Sequence, residues 1–312
     1  MPWKQDYTIS DEVAIADGDI VWPAGSRCCF NLVVDLNPAV KSAGIAKTDL
    51  CSATCHYGMN EGIDLMLALF ARLGLRATFA TPALVAELFP GRMREIVSAG
   101  HEIAGNGLVG EDLCDLDAET ERLRLAQATQ ALAEATGSLP QGWYALPRPG
   151  DAFATGNVSV RTMDLLIEAG YRYFGNGLAD DAPHYWVADF AARRTILALP
   201  YYYHFDDRFF LMFPADGTGL ERPDVLARNW EAQFRAQYRR GRYFSLTVSP
   251  ARSGWGHRLE NLDAFLTKAV RMPGLWNATG AEAAGYWLDR YPPDANLKLE
   301  PSIWKSYEGS LD

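Results

Sequence analysis

The chain lacks any run of 18 apolar residues, so no membrane-spanning helix is expected. Residues Met1 to Ser10 lack the apolar stretch of a secretory signal. Cysteine is scarce: five residues, with Cys28 and Cys29 adjacent, make a poor disulfide framework. These absences favour a reducing cytoplasm. Excess positive charge is missing too. The net charge is -10 and the pI about 5.1, which argues against nucleic acid or an anionic membrane as partner. There is no internal repeat and no low-complexity tract. What remains is 312 residues, 48% hydrophobic and 22% charged, enough for a sizeable core.

Residues 28–34 are apolar almost throughout, as in a strand buried on both faces. Further strands are expected over 78–80, 101–104, 142–144, 171–174, 195–199, 243–248 and 276–279. Helical spacing predicts helices over 63–73, 82–88, 92–99, 118–136, 159–169, 222–240, 261–270 and 282–287. This alternation predicts an α/β fold: a single-domain, distorted (β/α) barrel with about seven parallel strands. Its core spans about 20–290, with a C-terminal extension over 291–312. Residues 38–60 read as a long irregular loop. Cys51, Cys55 and His56 within it are soft metal donors, but their spacing completes no closed four-ligand zinc pattern.

The stretch Gly100-His101-Glu102-Ile103-Ala104-Gly105-Asn106-Gly107-Leu108-Val109-Gly110 organises the chain, preceded by Arg76-Ala77-Thr78-Phe79-Ala80-Thr81-Pro82 and a helical run. With "GWY" from Gly142, "LLIEAGYRY" from Leu165, and "FSLTVSP" from Phe244 followed by "GHRLENLDAFL", it resembles the polysaccharide deacetylase (NodB-like) superfamily over roughly 20–290. Trp22-Pro23-Ala24-Gly25-Ser26-Arg27 and Gly142-Trp143-Tyr144 are most similar to its branch of allantoinases and cyclic-imide hydrolases.

The resemblance implies a base at Asp35 and metal ligands at three further positions, which here hold Asn37, Asn106 and Gly110. Neutral Asn is a poor zinc ligand and Gly is none. The position of the general-acid His holds Ser249, whose hydroxyl is too weak an acid for that work. Tyr144 stands where the base-orienting Arg belongs. Neither metal nor other cofactor is therefore expected.

Chemistry must then come from side chains. The catalytic candidates are Asp35 as base, His204 or His257 as proton donor, and Arg148 as an oxyanion-binding guanidinium. Asn37, Asn106, Tyr144, Tyr203, Asp206, Asp207, Ser249 and Trp255 are the expected substrate contacts. His101, at the start of a strand, reads as structural.

The expected function is metal-independent C–N bond hydrolysis of a small, cyclic substrate. The alternatives are lyase, isomerase or cyclase chemistry in the same pocket, a ligand-binding pseudoenzyme, or a zinc deacetylase using Cys51, Cys55 and His56. A homo-oligomer is expected, with a small molecule as the other partner.

Overall fold

The computed structural model describes residues 15–148, 151, 156, 158–189, 192–210 and 222–296. Of the expected C-terminal extension over 291–312, residues 297–312 lie outside the described residues. Nine strands form one sheet: β1 (Cys28–Asp35), β2 (Ala77–Thr81), β3 (Glu102–Gly105), β4 (Gly142–Trp143), β5 (Tyr173–Gly177), β6 (His184–Asp189), β7 (Arg194–Pro200), β8 (Tyr243–Val248) and β9 (Leu275–Asn277). Their order is β6-β7-β5-β4-β3-β2-β1-β8, with β9 also on β1. All pairings are parallel except β6 with β7. The antiparallel edge strand β6 is absent from the sequence-based expectation, and the described residues hold nine strands against the expected seven or so.

Period-two alternation decides what each strand sends inward. On β1, Phe30, Leu32 and Val34 join the core beneath the helices, while Cys29 and Val33 join the barrel interior. Asp35 continues the second series and so closes the inward row at the strand's C-terminal end. Register then fixes its neighbours: Asp35 pairs with Ala80 of β2, and Val34 with Val248 of β8. Ala104 of β3 faces inward, so Asn106, two residues on, does as well. The same parity takes Tyr243, Ser245 and Thr247 inward, and Ser249 ends that row. Asp35, Asn106 and Ser249 thus meet at one rim, the C-terminal face where parallel barrels carry chemistry.

No backbone pairing joins β7 to β8. Side chains bridge that seam instead: Ser245 Oγ donates to the Pro200 carbonyl (2.6 Å) and the Tyr202 hydroxyl to the Tyr243 carbonyl (3.2 Å). At the opposite end the floor is polar. The Glu102 carboxylate accepts from Thr78 Oγ1 (3.0 Å), Tyr173 OH (2.9 Å) and the Ala281 amide (2.9 Å). The last contact comes from the first turn of the helix Gly280–Arg290, whose N-terminus favours a nearby acid.

Helices Ile63–Leu73 and Ala118–Thr136 match the sequence expectation, each ended by a left-handed glycine, Gly74 and Gly137. The expected loop over 38–60 is largely helical: Lys47–Leu50, Ala53–Tyr57 and a π-turn at Gly58–Gly62 run into Ile63–Leu73. The missing side chains of Gly58 and Gly62 admit the Pro250–Ser253 turn. A Cβ on Gly58 would lie 2.9 Å from the Ala251 Cα.

Candidate active site at the C-terminal rim of the barrel

Asp35 is buried and fully engaged. Its Oδ1 accepts from the Asn37 amide (2.8 Å) and from Asn106 Nδ2 (3.3 Å), and its Oδ2 accepts from Arg208 Nη2. The same Nη2 donates to the Asn37 carbonyl (2.8 Å), and Arg208 Nη1 donates to the Pro147 carbonyl. Arg208 is 1% exposed, and sequence reasoning gave it no role. Its only local signal is its place after Asp206-Asp207; its partner Asp35 is 173 residues away. Burial pushes the Asp35 carboxyl above its ordinary range, and the Arg208 guanidinium opposes that rise.

Of the residues at the three implied metal positions, Asn37 and Gly110 bind each other, and Asn106 binds Asp35 and the loop beyond β4. Asn106 Oδ1 accepts from the Leu146 amide (3.2 Å). Asn37 Nδ2 donates to the Gly110 carbonyl (3.3 Å), and its Oδ1 accepts from the Ala39 amide (2.9 Å). Gly110 has a left-handed backbone (φ 67°), and a Cβ there would run into the Asn37 carboxamide. Two carboxamides and a glycine, beside a guanidinium already on Asp35, do not fit a divalent metal. Among the described residues no group of three His, Cys, Asp or Glu could hold a metal ion. Cys51 and His56 are exposed and Cys55 is buried, on or beside the helix Ala53–Tyr57.

Asp206 and Asp207 join this cluster. Asp206 Oδ1 accepts from the Arg208 amide (2.8 Å) and its Oδ2 from the Tyr201 hydroxyl (2.7 Å). Asp207 Oδ2 accepts from the Ser249 amide (2.7 Å) and Ser253 Oγ (2.6 Å). Burial raises both carboxyls, and with the Asp207 charge alongside, Asp206 is pushed up to about 7. Arg252 donates to Ser249 Oγ (3.4 Å). Burial, with the like charge of Arg208, pulls Arg252 down to about 10.

The other expected site residues separate from this cluster. Arg148 does not offer an open guanidinium: it is 3% exposed and committed to Asp151 (3.1 Å), Asp112 (3.3 Å) and the Gly110 carbonyl (3.0 Å). It ties the Gly110 turn to the loop beyond β4. Tyr144 is buried inside the barrel, edge-on to Tyr173, and not at the rim. His204 and Tyr203 are exposed and line a cleft of about 520 Å³ with Asp180, Asp181, Arg240 and Arg242. Asp35, Asn37 and Asn106 do not line that cleft, so the expected pairing of His204 with Asp35 is not formed. His257 is exposed on the first turn of the helix Gly256–Ala269. Trp255 is 39% exposed and stacks on Tyr57, with ring centroids 3.7 Å apart. His101 accepts from the Ala77 amide through Nδ1 (3.0 Å), a packing role at the foot of β3.

The polysaccharide deacetylase family model matches residues 46–174. A peptidoglycan deacetylase of Helicobacter pylori is 26% identical over 257 residues, 74% of this chain and 85% of its own length. A candidate polysaccharide deacetylase from Mycobacterium smegmatis superposes with a TM-score of 0.78 at 26% identity, over 96% of this chain and all of its own. Puue allantoinase has the same fold, with a TM-score of 0.73 at 22% identity over 87% of this chain and 93% of its own. Barrel, strand-end residues and these likenesses agree: residues 46–174 match the polysaccharide deacetylase family, and the chain shares the fold of these relatives.

Proposed function

We propose that the chain is a hydrolase of the deacetylase fold that cleaves a C–N bond in a small cyclic amide or imide without a divalent metal. The observation that carries this reading is the buried Asp35–Arg208 pair, set among Asn37, Asn106 and Gly110. Asp35 takes a proton from water as the water attacks the carbonyl carbon. Asn37 and Asn106 hold its Oδ1, and Arg208 holds its Oδ2, so the base is oriented before substrate arrives. The positive charges of Arg208 and Arg252 stabilise the developing oxyanion through the low-dielectric interior. The motifs at Trp22–Arg27 and Gly142–Tyr144 support a cyclic substrate.

The test is incubation with succinimide, hydantoin, dihydrouracil and N-acetylglucosamine oligomers, read by mass spectrometry for products of water addition. Ring opening is expected for a cyclic probe. Asp35→Asn should keep that probe's thermal stabilisation and lose its product. Undiminished product from Asp35→Asn contradicts the assignment, and acetate release from the oligomers alone contradicts the cyclic substrate.

A further inference from the structure

We propose that Asp207 holds a proton on Oδ1 and delivers it to the leaving nitrogen, the role for which neither His204 nor His257 is placed. This inference rests on the hydrolase reading for its reaction, and on geometry for the proton.

The two oxygens of Asp207 differ. Oδ2 has two donors, the Ser249 amide and Ser253 Oγ, whereas Oδ1 is buried and has no partner among the described residues. Asp207 as a whole is 1% exposed. A bare anionic oxygen in such a place costs more than a neutral hydroxyl. Asp206 offers no such site, because Tyr201 and the Arg208 amide already fill its two oxygens.

Charge balance points the same way. Asp35, Asp206 and Asp207 face two guanidiniums, Arg208 and Arg252. Counted over these described residues, three ionised carboxylates exceed the two guanidiniums by one negative charge, and one retained proton removes it. The groups facing Asp207 are Asp206 and Arg208 on its own segment, Arg252, Ser249 and Ser253 after β8, and Asp35 across Arg208. Burial raises the carboxyl above its ordinary value, the direction that favours a retained proton.

The step balances. Water gives its hydroxyl to the carbonyl carbon and a proton to Asp35. The C–N bond breaks, its electron pair stays on nitrogen, and that nitrogen takes the Asp207 proton. Asp207 is left as a carboxylate and recovers a proton from Asp35 through solvent as the site resets.

Infrared difference spectroscopy of the full chain, titrated between pH 5 and pH 9, tests this without needing a substrate. Beside any contribution from the buried Glu102 and Asp35 carboxyls, wild type should show one protonated-carboxyl component at pH 6 that Asp207→Asn removes and Asp206→Asn retains. An Asp207→Asn spectrum that matches wild type, or a component that vanishes only in Asp206→Asn, overturns the proposal. Should Asp207→Asn fail to fold, Ser253→Ala carries the test. It removes a donor to the ionised form, so the band should persist to higher pH, and an unmoved titration overturns the proposal. A wild-type band together with no hydrolysis of any cyclic probe removes the hydrolase reading and leaves the location of the proton standing.

Discussion

Replacing Arg208 by Met leaves Asp35 buried without its cation. Two unit charges about 4 Å apart attract by about 4 kcal/mol at an effective dielectric of about 20. Orphaning one member of a buried pair costs about 3–5 kcal/mol. Both Arg208 and Asp35 are almost wholly inaccessible, so little solvent screening applies. Arg208→Met should therefore lose about 3–5 kcal/mol of stability near neutral pH.

The loss should depend on pH, with a definite sign. Without the guanidinium, burial raises the Asp35 carboxyl still further above its unfolded value. A raised group takes up a proton on folding, so its favourable contribution is present at low pH and fades as pH rises. The deficit against wild type should be smallest near pH 4, about the unfolded aspartate value, and should grow toward pH 8. Urea unfolding at both ends of that range measures it. The double variant Asp35→Asn/Arg208→Met should recover part of the loss, because both charges are gone. A deficit under about 1 kcal/mol, or one that is flat with pH, would refute the view that the pair is a buried, mutually dependent unit.

Three further outcomes follow from the same geometry. Gly110→Ala should lose about 1–2 kcal/mol from its left-handed backbone alone, and more from the displaced Asn37 carboxamide; a neutral result in urea unfolding counts against that packing. Burial raises the Glu102 carboxyl, so wild-type stability should decline as pH climbs above the unfolded glutamate range. Glu102→Gln should flatten that decline, and parallel pH profiles for the two proteins would contradict it. His204→Ala should leave kcat/KM on a cyclic probe unchanged, because His204 lines the seam cleft; a large fall in kcat would return it to the machinery.

What was legible in the sequence follows period and register. Asp35, Asn106 and Ser249 were legible as site positions through the resemblance to the superfamily's motifs, and the structure supplies the reason they meet: each closes an inward row at one rim. The polar ends of apolar strands marked the site. Features that depend on distant partners were hidden. Arg208 reaches Asp35 only after the chain has passed through β7, and no local pattern announces it. Arg148 looked available because its partners Asp112 and Asp151 carry no signal of proximity. His204 alternates with Asp206 in sequence, but the short helical turn Tyr203–Phe205 swings it to the cleft and defeats strand parity. The strand β6 escaped because His184–Asp189 pairs only at an edge and keeps half-buried residues. The helix through Gly58 and Gly62 escaped because tight packing, not propensity, explains its glycines.

The central claim is that Asp35 and Arg208 work where the superfamily's metal ligands are missing. Elemental analysis of the purified chain, paired with hydrolysis of a cyclic probe before and after chelator treatment, tests it most directly. The account predicts no stoichiometric divalent metal, turnover indifferent to the chelator, and turnover lost in Asp35→Asn. One equivalent of zinc, with activity that disappears on chelation and returns with zinc, would contradict it.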